Sequence, residues 1–173
     1  MSDILLHVCC APCAAGCVGR LIEAGRRPVL FYSNSNIATA AEFERRLESV
    51  RRLSAIYGLV LEVDPYNHAA WLAAVAAGLE HEPERGLRCH GCFAWSLGRA
   101  AGFAERRGLN FTTTLTVSPH KCSATLFEVG GRYTNFEEWD FKKKDGFRQG
   151  RELAKQYGFY LQNFCGCEFS MRV

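Results

Sequence analysis

Nine of the 173 residues are cysteines, and seven fall in three tight groups: Cys9, Cys10 and Cys13; Cys89 and Cys92; Cys165 and Cys167. Thiolates bind soft metals and exchange with disulfides, so grouped cysteines point to metal or redox chemistry. Cys9 and Cys10 are neighbours in sequence, and adjacent Cα atoms stand ~3.8 Å apart. A disulfide prefers ~4.4–6.8 Å, so a bond between these two would be strained and the pair reads better as ligands. A Cys-x-x-Cys pair at a helix start, here Cys89 and Cys92, can aim two sulfurs at one metal while the helix dipole favours their negative charge. The two pairs together form a four-thiolate set that suits zinc or an iron–sulfur cluster. Structural zinc usually rests on two spaced pairs, so the vicinal pair favours the more widely separated irons of a cluster. Cys165-Gly166-Cys167 is a different device. Its glycine permits a tight bend, and a disulfide closing so small a ring is strained and easily reduced, as catalytic couples are. A redox couple is therefore preferred there, with metal ligation second. Cys17 and Cys122 stand alone and read as core or incidental residues.

Weaker candidates surround these groups. Asp64 closes a predicted strand on the side where ligands bind, although a capping carboxylate ahead of Pro65 accounts for it equally well. His120 and Lys121 follow a predicted strand and can supply a proton and an anion contact, or form an ordinary exposed loop. His7, inside the first predicted strand, reads as a satisfied core histidine. Lys142-Lys143-Lys144 with Arg148 and Arg151 could meet a phosphate backbone, although such runs are usually a solvated face.

The elements that must position these groups follow from apolar patterning. Ile4 to Val8 reads as a buried strand running straight into Cys9, and Pro12 suits the first turn of the helix that follows. A second strand spans Pro28 to Tyr32 and closes in Ser33-Asn34-Ser35-Asn36. Thr39 and Glu42 form a capping box for a helix ending at Gly58. Leu59 to Val63 predicts a third strand, Trp71 to Leu79 a short apolar helix, and Glu80 to Arg88 a loop. The Cys-x-x-Cys pair then opens a helix running to about Arg107. Phe111 to Val117 reads as a fourth strand, Ser123 to Val129 as a helix, Asn135 to Phe141 as a further strand and Gln149 to Tyr157 as the last helix. Alternating strands and helices predict one three-layer α/β domain over residues 1–173, mainly parallel and Rossmann-like. Its iron–sulfur or other functional site would lie at the carboxyl ends of the strands.

Composition narrows the function classes. Hydrophobic residues are 48% and charged residues 23% of the chain, which describes a folded protein rather than a disordered one. No apolar run approaches the ~20 residues of a membrane span. Ser2 and Asp3 lead into only a short apolar stretch without a basic leader, so a cytoplasmic location with reduced thiols is expected. The formal net charge of +3, from 21 basic and 18 acidic residues, permits a nucleic-acid partner without demanding one.

Six ordered motifs make the chain recognisable: Leu6-His7-Val8-Cys9-Cys10-Ala11-Pro12-Cys13, Tyr32-Ser33-Asn34-Ser35-Asn36-Ile37, Arg88-Cys89-His90-Gly91-Cys92, Thr112-Thr113-Thr114-Leu115, Ser118-Pro119-His120-Lys121, and Gln162-Asn163-Phe164-Cys165-Gly166-Cys167. From Leu5 to Ser170 the sequence closely resembles the cobalamin-independent epoxyqueuosine reductase family. The resemblance implies a [4Fe-4S] cluster on Cys9, Cys10, Cys89 and Cys92 and a redox-active Cys165–Cys167 pair. It implies an additional iron, with Cys13 and Asp64 as candidate ligands. The implied reaction is the last step of queuosine synthesis, which reduces the epoxide on the wobble base of a tRNA to an alkene, with electrons from a donor that the residues do not name. His120 is the candidate proton donor, and Asn34, Asn36 and Lys121 are the candidate substrate contacts. Cys122 departs from the pattern expected after His-Lys, and the segment from Lys121 to Asp140 is shorter than usual.

Three other readings remain open. A non-catalytic zinc-binding α/β module that binds RNA predicts one zinc and a colourless protein. A metal-free thiol–disulfide oxidoreductase conflicts with the vicinal Cys9-Cys10 pair. A nucleotide-binding enzyme of the adenylating type fits the layout and the Ser-Asn turn, yet no glycine-rich phosphate loop is present.

Overall fold

The computed structural model describes residues 1–171. β1 (Ser2–Val8) and β2 (Arg26–Tyr32) pair in parallel along their full length, from Ser2 opposite Arg26 to Val8 opposite Tyr32. β3 (Leu61–Val63) flanks β2, and β4 (Phe111–Thr113) flanks β1 on the other side, giving a four-stranded parallel sheet of order β3-β2-β1-β4. Alternation along the central strands serves two cores. Ile4, Leu6 and Val8 face α1 (Ala11–Glu23), α2 (Ala40–Tyr57) and α6 (Gly146–Tyr157), whereas Leu5, Phe31 and Phe111 face α4 (Leu87–Arg106) and α5 (Ser123–Gly130). Strands buried on both faces read as continuous apolar runs, which is why β1 and β2 were visible in sequence.

The chain builds β1, β2 and β3 outward in one direction, then returns to add β4 beside β1. The carboxyl ends of β1 and β4 therefore flank a topological switch point, where an open parallel sheet leaves a crevice. Cys9 and Cys10 leave β1 at that crevice.

Two predicted strands end differently. The Thr-rich stretch pairs only over Phe111–Thr113 and then turns into a 3-10 helix, Thr114–Val117. Its threonines divert the chain: Thr113 Oγ1 accepts from the Leu115 N–H at 3.1 Å, and Thr116 Oγ1 donates to the Trp139 carbonyl at 2.7 Å. Asn135 to Phe141 forms no strand and contributes a single parallel bridge, Phe111 to Phe136. The bridge's two backbone bonds hold that segment at the start of β4, and β4 is too short to extend the ladder.

Elsewhere the expected elements shift at their ends. The apolar helix near Trp71 begins earlier, as α3 (His68–Trp71) capped by Asn67, and continues as a π-helical turn, Leu72–Ala76. Thr39 caps α2 as expected, accepting from Glu42 N–H at 3.2 Å. The Glu42 carboxylate, however, turns to Arg46 rather than back to the cap.

Candidate functional site

α1 begins directly after β1, with extended Cys10 as its N-cap and Pro12 in its first turn. This short connection gathers the Sγ atoms of Cys9, Cys10 and Cys13 within 4.8 Å of one another, Cys9 and Cys10 lying 3.9 Å apart. Hydrogen bonds from Cys13 and Cys9 hold the Cys10 thiol well below the ordinary thiol range. The same contacts push Cys13 well above it and Cys9 up to about 11. β4 reaches this group through Thr114, whose Oγ1 accepts from the Cys9 N–H at 3.1 Å and donates to Cys9 Sγ at 3.2 Å.

The second pair sits at the start of α4, Cys89 in its first turn and Cys92 in its second, and Cys89 Sγ accepts from the Arg85 N–H at 3.2 Å. Arg88 is buried and braces the preceding loop, donating to the carbonyls of Leu79 at 2.7 Å and Glu82 at 2.8 Å. Burial raises the Cys92 thiol pKa. Cys92 packs in a small separate core around Trp71 and Val75, joined by Trp95, Phe169 and Cys167. That core fastens the Cys-x-x-Cys turn to the C-terminal segment.

Cys165 and Cys167 are free thiols, the first exposed and the second half-buried. Between them Gly166 has φ +148°, a conformation in which a side chain would be strained, and a Cβ there would crowd Asn36 at 3.0 Å. Gln162, earlier in the same segment, helps lower the Cys10 thiol by hydrogen bonding.

These elements enclose one cavity of about 740 Å³, lined by eight of the nine cysteines, all but Cys17. His120, Lys121, Asn34 and Asn36 line it too. Burial lowers the Lys121 pKa, but the surrounding sulfurs of Cys165, Cys9, Cys13 and Cys10 outweigh it and hold the ammonium form. Asn34 spends its amide on the Val8 carbonyl, at 2.8 Å, tying the ends of β1 and β2 together.

Asp64 stands apart from this lining. One of its oxygens accepts from Ser33 Oγ at 2.7 Å, and both accept from the Arg99 guanidinium. The Asp64 carboxylate is thus engaged by Ser33 and Arg99. His7 is a core histidine: Nε2–H donates to the Ser33 carbonyl at 3.0 Å, and Nδ1 lies 2.9 Å from Thr113 Oγ1. The basic run is thinner than its sequence. Lys142 turns inward to the Lys121 carbonyl and Ser123, and Arg148 pairs with Asp145 and Glu152.

Sequence reading missed Thr114, Arg46, Trp71 and Gln162 as parts of the site. Thr114 and Gln162 lie within recognised motifs that assign them no role, Arg46 and Trp71 lie in none, and only the fold sets all four against the cysteines.

A parallel α/β sheet whose switch point opens onto a cavity of thiols has the donor groups that metal-thiolate or thiol redox chemistry requires. A family model described as epoxyqueuosine reductase QueH matches residues 4–173. Proteins named epoxyqueuosine reductase QueH are 36% identical in Streptococcus pyogenes serotype M1, over 99% of this chain and 71% of that protein, and 32% identical in Haemophilus influenzae, over 99% and 72%. The Thermotoga maritima protein of that name is 32% identical over 99% of this chain and 91% of its own length. The chain belongs to the epoxyqueuosine reductase QueH family.

Proposed function

We propose that this protein is a cobalamin-independent epoxyqueuosine reductase that converts epoxyqueuosine in tRNA to queuosine. The observation that carries this reading is the convergence of all three cysteine groups on one cavity at the strand ends. Opening an epoxide to an alkene consumes two electrons and two protons and releases water. When bound, a [4Fe-4S] cluster supplies single electrons, and a further iron supplies Lewis acidity. Cys9, Cys10, Cys89 and Cys92 would hold the cluster. The donor set fits: soft sulfurs predominate, and Cys9 and Cys89 already accept hydrogen bonds from Thr114 and Arg85, the type of contact that supports iron-bound thiolates. Cys13 would be a donor to a further iron, and Asp64 would join it by releasing Arg99 and Ser33.

The chain's own groups account for the remaining chemistry. Cys165 and Cys167 give up two electrons and two protons on forming a disulfide, matching the stoichiometry of deoxygenation. His120, exposed at the cavity, protonates the departing oxygen. Lys121 places a positive charge where negative charge develops on that oxygen. Asn36 offers an amide to the substrate. An anticodon-loop base can be splayed from its stack to reach such a cavity.

A second reading has a specific observation behind it, since three sulfurs mutually within 4.8 Å are close enough to share one ion. It assigns zinc to Cys9, Cys10 and Cys13 in a non-catalytic RNA-binding module. Iron, zinc and acid-labile sulfide analysis of anaerobically purified protein, with its visible spectrum and an epoxyqueuosine-tRNA assay, separates the two. About four irons and four sulfides, a broad brown absorbance and turnover support the reductase. One zinc, no sulfide after attempted reconstitution and no turnover overturn it.

A further inference from the structure

Arg46 is almost fully buried on α2, with its side chain 3% exposed, although nothing in the proposed chemistry uses it. A buried guanidinium persists only where its donors are satisfied. Its Nε donates to Glu42 at 2.7 Å. Nη1 donates to the Cys165 carbonyl at 2.8 Å and Nη2 to the Phe164 carbonyl at 3.3 Å, while the guanidinium lies 5.0 Å from the Phe164 ring centroid. The fork thus grips two successive peptide groups immediately before Gly166. Beyond them the Gly166 carbonyl accepts from Ala38 N–H at 2.9 Å, and Ser170 Oγ accepts from Gly166 N–H at 3.2 Å and donates to the Cys167 carbonyl at 2.8 Å. The backbone around both cysteines is anchored, yet Cys165 itself is exposed.

We propose that Arg46 is the positioning residue of the Cys165–Cys167 couple, holding the loop backbone in a conformation that closes and reopens the disulfide. The inference rests on the redox role assigned to this pair. In the step concerned, the two S–H bonds break and one S–S bond forms. Two electrons and two protons pass to the epoxide, its oxygen leaves as water, and an external dithiol later returns the pair to thiols by exchange. A ring with one intervening residue closes from few backbone conformations, so a loop already ordered loses less entropy on closure. Removing Arg46 frees the dithiol form and shifts the equilibrium against the disulfide.

The test equilibrates the intact protein anaerobically in dithiothreitol redox buffers and quantifies Cys165 and Cys167 thiols by alkylation and mass spectrometry. Arg46→Lys keeps a cation beside Glu42 but cannot fork across two carbonyls. It should lower the oxidation constant at least tenfold, a positive potential shift of about 30 mV, with iron content unchanged. Arg46→Ala should lower it further; if that variant fails to fold, Arg46→Lys decides. A lowered melting temperature with an unchanged oxidation constant in Arg46→Lys shows a merely structural residue and overturns the proposal alone. A wild-type pair that does not titrate as a two-electron couple overturns both this proposal and the redox role of Cys165 and Cys167.

Discussion

Cys10 and Cys165 show how the same side chain is prepared for different work. Cys10 is buried at a helix start among two further thiols that donate to it, which favours the ligand form of sulfur. Cys165 is exposed at the cavity, where exchange with a second thiol needs access. Replacing Cys165 with serine should therefore leave iron and sulfide content unchanged and lower repeated turnover by at least ~100-fold. Residues acting as one unit are non-additive, so Cys165→Ser/Cys167→Ser should be no slower than Cys165→Ser. Steady-state assays on epoxyqueuosine-tRNA measure both, and full turnover by Cys165→Ser would remove the dithiol from the reaction. At this scale much was legible, because sulfur pairs at short spacing have few uses. The environment of Asp64 was not, since Arg99 lies 35 residues away and only packing shows that it claims the carboxylate.

The elements hold the cysteines through close approach. α1 crosses α6 where Gly16 faces Gly146 and Gly150 faces Pro12. A Cβ on Gly16 would meet the Gly146 carbonyl oxygen at 2.3 Å, and one on Gly150 the Pro12 oxygen at 2.3 Å. Those obstacles are backbone, so neither can swing aside. Gly150→Ala should force the helices apart, cost about 1–3 kcal/mol and reduce iron bound, because Pro12 lies between Cys10 and Cys13. Gly19→Ala on the same helix as Gly16 meets nothing within 4 Å and should instead gain about 0.5–1 kcal/mol. Urea melts and metal analysis of the two variants test the crossing, and equal behaviour would refute it. Periodicity located both helices, but the partner of each glycine depended on how α1 and α6 pack.

Across the whole molecule, Glu137 joins the segment after α5 to the beginning of the sheet. Its carboxylate accepts two bonds from Arg26, at 2.6 and 2.9 Å, and one each from Asn110 and the Trp139 indole. Burial pushes the Glu137 pKa up, but these donors outweigh it and hold the group below its ordinary 4.5. A depressed carboxyl pKa contributes stability that is full above the unfolded value and is lost as pH falls through the folded one. Wild type should therefore lose stability below about pH 4.5 more steeply than Glu137→Gln. At pH 7 the variant should be less stable by about 1–3 kcal/mol. Urea denaturation between pH 3 and 7 checks both, and parallel curves would exclude the linkage. Among the described residues no helix is long and apolar enough to cross a membrane.

The sequence by itself determined the alternating α/β order, the two central strands and the three cysteine groups, because burial on both sheet faces and short ligand spacings are local patterns. It overextended β4 and invented a strand at Asn135–Phe141, because threonine side chains and a three-residue neighbour decide where a ladder stops. Tertiary structure alone decided that β4 joins β1 on the side away from β2, opening the crevice that gathers eight cysteines. It also set Arg46 against the Cys165 carbonyl 119 residues away. Such contacts arise from packing among distant elements, and no local pattern encodes them.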